Sequence, residues 1–136
     1  MGKRIIETCF SPALYEPDRH SGSIVVIIDI LRATSAICTA FENGAETIIP
    51  VSTVEEAREY KARGYLVAAE HDGFVLDFAD FGNSPFNFTK ERVSGKTIVY
   101  STTNGTGIIR LASDAAYIVV GSFLNFRALT GWIISQ

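Results

Sequence analysis

Asp29 and Arg32 stand three positions apart, at the end of an apolar β-branched run, Ser23–Asp29 (SIVVIID). Asp29 alone reads equally well as a helix N-cap. Arg32 argues against that, because a cation at a helix N-terminus opposes the macrodipole unless an anion lies near it. Pairing with Asp29 is the simpler alternative. Glu70 closes a second run, Tyr65–Glu70, and could equally be a surface acid. Thr102-Thr103-Asn104-Gly105-Thr106 follows a third run, and Ser122 with Asn125 follows a fourth. Gly105 permits close backbone approach, and successive amides in such a turn form an anion-binding nest. A helix starting at Thr106 would add its free amides, although ordinary capping also accounts for Asn-Gly-Thr. Gly82-Asn83-Ser84-Pro85 predicts a turn into a short helix, with Ser84 as N-cap and Pro85 as first residue. It becomes a second oxyanion cradle if it faces the first.

These groups pose a charge problem. Two unit negative charges ~5 Å apart repel by about 3 kcal/mol at an effective dielectric of about 20. Asp29, Glu70 and a phosphate dianion therefore share a pocket only with compensation. Arg32 supplies one positive charge and a divalent cation two. Oxygen ligands with phosphate suit Mg²⁺ better than zinc, and metal-assisted hydrolysis of a phosphate ester is the reaction such a set would serve. His20 and His71 read as solvated and Cys38 as packed, none having metal-ligand partners at a recognised spacing.

The elements that must position these groups alternate along the chain. Lys3–Phe10, Ser23–Asp29, Glu46–Val51, Tyr65–Glu70, Thr97–Ser101 and Ala116–Gly121 predict strands. Between them lie helical spacings from Ala33 to Phe41 and from Ile108 to Ala115. Another helix opens on a Thr53/Glu56 capping box and runs to about Arg63. The pattern predicts one α/β domain over residues 1–136, a layered α/β/α fold with a mostly parallel sheet. Such sheets bind ligands beyond the carboxyl ends of their strands, where the polar groups fall. Phe126, Leu129, Trp132 and Ile133 form an apolar stripe on a last helix, expected either to pack on the sheet or to join copies in a homo-oligomer.

Composition narrows the partners. Twelve Lys and Arg against fifteen Asp and Glu give a net charge of −3 with no basic run, which argues against nucleic acid and membrane surfaces. Two cysteines build no disulfide framework, and Ile24–Ile28 is far shorter than a membrane span. No signal-peptide pattern is visible, so a reduced, cytoplasmic setting is expected.

Val26-Ile27-Ile28-Asp29-Ile30-Leu31-Arg32-Ala33-Thr34 resembles the V-I-D-V-L-R-A-T block of the 2-phosphosulfolactate phosphatase family. Asn43-Gly44-Ala45, Ile49-Pro50-Val51, Glu70 with Gly73, Phe81-Gly82-Asn83-Ser84-Pro85, Thr102–Thr106 and Gly121-Ser122-Phe123-Leu124-Asn125 follow in the family's order. The resemblance implies a soluble, cytoplasmic, Mg²⁺-dependent phosphatase that converts the small phosphorylated acid 2-phosphosulfolactate to sulfolactate and phosphate in coenzyme M biosynthesis. It implies Asp29 and Glu70 as metal ligands, and Arg32, Ser84, Thr103, Asn104 and Ser122 as holders of phosphate or sulfonate. Two departures stand out. His71 occupies a position where the family usually has Arg, and the family continues through a C-terminal half beyond the position of Gln136, so the chain corresponds to its N-terminal portion. A haloacid-dehalogenase-like phosphatase is a poorer fit, since its second acid would fall at Leu31. A noncatalytic anion- or metabolite-binding domain is the alternative from a different class.

Overall fold

Apolar β-branched runs and capped helical spacings alternate through the chain, and the elements follow them closely. The computed structural model describes residues 4–102 and 105–136, with Gly105 and Thr106 described in their backbone alone. The elements are β1 (Ile24–Ile28), α1 (Ala33–Glu42), β2 (Thr47–Pro50), α2 (Val54–Ala62), β3 (Leu66–His71), β4 (Phe74–Val75), α3 (Lys90–Val93), β5 (Thr97–Ser101), α4 (Gly105–Leu111), β6 (Tyr117–Gly121) and α5 (Phe126–Ser135). The α2 capping box is complete, with the Thr53 hydroxyl accepting from the Glu56 amide and the Glu56 carboxylate accepting from the Thr53 amide.

The α/β reading holds, with parallel pairing for β1–β6, β2–β5 and β3–β5. The strands divide, however, between a two-stranded sheet, β1-β6, and a four-stranded one, β2-β5-β3-β4. Alternation along β3 and β5 explains the layers. Ala68, Ile98 and Tyr100 face α1, packing with Ala36, Ala40, Phe81 and Phe88. Val67, Ala69 and Val99 face the other way, against Ala57 of α2. Period-2 side chains on a sheet covered by helices on both faces produce this split core.

α5 covers the β1-β6 sheet, with Trp132 packed edge-on against Tyr117. A Cβ at Gly121 would lie 3.1 Å from Leu129 Cδ2 and 2.9 Å from Val26 Cγ1, so glycine lets the helix and strand approach. The apolar stripe is thus partly covered, while Phe126 remains 63% exposed. Among the described residues no helix is long and apolar enough to cross a membrane.

Two expectations need correction. The stretch Lys3–Phe10 forms no strand across its described residues, and Ile5 and Ile6 stay 78% and 93% exposed. Strand composition realises a strand only where a neighbouring edge offers backbone partners, and here the described contacts are side-chain ones, Arg4 to the Ile134 carbonyl and Glu7 to Arg19 and His20. Glu70 does not end its strand either, since β3 runs on to His71 and turns back into β4. Asp72 (φ 50°) and Gly73 (φ 83°) form the two-residue turn, whose positive φ at both positions matches the twist of a tight hairpin.

Candidate functional site

Asp29 lies one residue beyond β1, where Thr34 of α1 fixes its main chain. The Thr34 hydroxyl accepts from the Asp29 amide at 3.0 Å and donates toward the carbonyls of Asp29 and Gly121, each at 2.8 Å. Thr34 is 2% exposed and so ties the end of β1 to the end of β6 from within the core. Thr34→Val keeps the shape but removes the acceptor for the Asp29 amide. A loss of about 1–3 kcal/mol in urea unfolding is the expected outcome, read as a lower midpoint at unchanged slope.

Arg32 precedes α1 and pairs with Glu70 of β3, Nη2 to Oε2 at 2.5 Å, rather than with Asp29. The Glu70 side chain is 12% exposed and that of Arg32 41%. Tyr100, the penultimate residue of β5 and 2% exposed, lies within electrostatic reach of Arg32, Glu70 and Asp29, its hydroxyl near the Ala33 carbonyl. Burial first, then the charges of Glu70 and Asp29, raise its phenol far above the ordinary 10.0, and Arg32 opposes them. One hydroxyl thus feels both carboxylates and the guanidinium, so groups from β1, β3 and the start of α1 converge. Reasoning from sequence missed Tyr100; its position two residues before Thr102, in register with Ile98, was the available signal.

The sign of the alkaline response follows from this shift. In the unfolded chain the Tyr100 phenol ionises near 10.0, whereas in the fold it keeps its proton well beyond that. Its contribution is fully present below pH 10 and is lost as pH rises above it, because only the unfolded state gains by releasing the proton. Tyr100→Phe should therefore flatten the alkaline fall in Tm, and an equally steep fall would remove Tyr100 as its source.

Asn83 arrives from the segment alongside β3. Phe81 bridges Ala68 in parallel, and its carbonyl accepts from the Ala69 amide, which leaves Asn83 two residues beyond that bridge, past the point where β4 takes over the edge of β3. Asn83 is 5% exposed, and its carboxamide oxygen has no hydrogen-bond partner among the described residues. A buried polar atom left in this state points to a ligand group or ordered water. Ser84 sits at the N-cap of a 3₁₀ turn, Pro85–Asn87, as expected, but makes no side-chain cap bond.

The remaining candidates separate. Thr102 and Ser122 are buried, at 9% and 7% exposure. Ser122 and Asn125 hold their own turn: the Ser122 amide donates to Asn125 Oδ1, Asn125 Nδ2 to the Val120 carbonyl, and the Leu124 amide to Ser122 Oγ. Both amide atoms of Asn125 are thereby engaged in local structure. Thr103 and Asn104 lie outside the described residues, as do the side chains of Gly105 and Thr106. His71 is exposed beside Asp72, and His20 stacks on Tyr15.

Among the described residues no group of three or more His, Cys, Asp or Glu gathers as a metal cage. Asp29 and Glu70 nevertheless fit Mg²⁺, which usually takes one or two carboxylates and fills its other positions with water and substrate phosphate. The orphaned oxygen of Asn83 is a third donor of the same hard type.

Fold and site together define an α/β protein with carboxylate, guanidinium and amide groups gathered at the carboxyl ends of parallel strands, the usual place for a small ligand. A family model described as 2-phosphosulpholactate phosphatase matches residues 9–136. The chain belongs to this family. A "Probable 2-phosphosulfolactate phosphatase" of Thermotoga petrophila is 46% identical over 112 residues, covering 82% of this chain and 48% of the relative. One of Clostridium perfringens is 40% identical over 137 residues, covering 96% and 56%. The chain thus spans about half the length of the curated relatives it matches.

Proposed function

We propose that the chain carries the phosphate-handling site of a Mg²⁺-dependent phosphatase that hydrolyses a small anionic phosphate monoester, 2-phosphosulfolactate, to sulfolactate and phosphate, a step of coenzyme M biosynthesis. The convergence of Asp29, Arg32 and Glu70 around Tyr100 carries this reading. The Arg32 guanidinium binds a phosphate oxygen, and Glu70 holds it in position. Asn83 and Ser84 bind the remaining oxygens from the β3 side. Thr102, Thr103, Asn104 and the amides of Gly105 and Thr106 do so from the loop after β5, and Ser122 from the end of β6. Asn125 acts by holding the Ser122 turn.

Asp29 and Glu70 would hold Mg²⁺, which when bound screens the phosphoryl oxygens and acidifies a coordinated water. In the net reaction the ester P–O bond breaks, the water oxygen joins phosphorus, and one water proton passes to the leaving alkoxide. A steady-state assay against phosphate monoesters tests the proposal. Saturable turnover abolished by a chelator and restored by Mg²⁺ is expected. Phosphate binding without turnover would favour a noncatalytic anion-binding domain, a reading supported by the ready neutralisation of Glu70 by Arg32.

A further inference from the structure

Between the two sheets, beside Asp29, lies a half-open apolar cavity of about 250 Å³, with the partly exposed Phe41 in its lining. Ile27 and Val120 wall it from the β1-β6 sheet, Ile37 from α1, and Ile48 with Tyr100 from the other sheet. Among the described residues the polar lining is confined to Asp29, Thr34 and Thr102, and the Thr34 hydroxyl is already engaged with main chain. Close-packed interiors leave few voids larger than one water. Water would be held poorly here, since it needs two to four polar partners, whereas a dry apolar cavity of ~150 Å³ takes benzene. Among the described residues no ladder of hydrogen bonds joins the two sheets, so the gap admits a guest without breaking backbone pairs.

We propose that this cavity binds an uncharged aromatic or branched aliphatic group of about six to ten non-hydrogen atoms. Resting on the phosphatase reading above, it takes the organic part of a phosphate monoester whose phosphate lies by Asp29, Arg32 and Glu70. The site then accepts aryl and bulky alkyl phosphates besides small charged acids, which leave the cavity unfilled. An aromatic guest enters with its electropositive edge toward the Asp29 carboxylate.

The test uses the whole chain and four probes: indole, methyl phosphate, phenyl phosphate and inorganic phosphate. Indole should shift amide resonances of Ile37 and Val120 saturably, and phenyl phosphate should bind about tenfold more tightly than methyl phosphate. Val120→Phe fills the cavity with its own ring. It should abolish the indole response and equalise the two esters while leaving inorganic phosphate binding unchanged. Ile37→Phe serves if the first variant does not fold by circular dichroism. Absence of an indole response in the parent chain, or equal affinity for the two esters, overturns the proposal. Indole binding without any phosphate binding leaves the cavity assignment standing and overturns the phosphatase reading. Phosphate binding without indole binding does the reverse.

Discussion

Asp29→Asn is expected to lower the rate of phosphate monoester hydrolysis by ~10²–10³-fold, the usual cost of removing one charged group that acts in the transition state. The fold should hardly notice. Every hydrogen bond from Thr34 to this residue goes to the Asp29 main chain, which the substitution leaves in place. Thermal unfolding should stay within about 0.5 kcal/mol of the parent, as for changes that leave buried contacts intact. The two measurements together are diagnostic. Unchanged turnover removes Asp29 from the reaction, whereas lost turnover with a large stability loss makes it a structural cap.

Arg32→Ala should weaken inorganic phosphate binding by about 10²-fold, the loss of a charge-assisted contact at a partly enclosed site. It should also destabilise the fold by about 1–3 kcal/mol, since Glu70, with its side chain 12% exposed, loses its cation. The double variant Arg32→Ala/Glu70→Gln separates these effects. Removing the stranded carboxylate should restore most of the stability without restoring phosphate affinity. Calorimetric titration and urea unfolding on the same samples read both. Arg32→Lys should recover the charge but only part of the affinity, because an ammonium lacks the planar fork. Full phosphate affinity in Arg32→Ala would confine the guanidinium to its pair with Glu70.

Most of the element order was legible because local rules agreed with the final packing. SIVVIID reads as a strand and forms one, although Ile28 is left 65% exposed, and the Thr53/Glu56 pair fixed where α2 begins. The same rules failed at Lys3–Phe10, whose apolar content found no sheet edge, and at Asp72-Gly73. Those two residues close a hairpin, which a strand ending at Glu70 does not anticipate. Five family blocks in order marked out the site's residues, but not which of them meet.

By itself the sequence determined the α/β class, the family and the placing of polar groups at the carboxyl ends of strands. Each follows from periodicities and motifs a few residues long. Only the tertiary structure decided that Arg32 answers Glu70 rather than Asp29, that Tyr100 feels both carboxylates, and that Asp29 and Tyr100 share the lining of an apolar cavity. Those facts join residues up to 93 positions apart (Ile27 to Val120), and they span two sheets whose separation no local pattern encodes. Long-range pairing is settled by how helices and sheets pack as solid bodies, and that is a property of the folded chain alone.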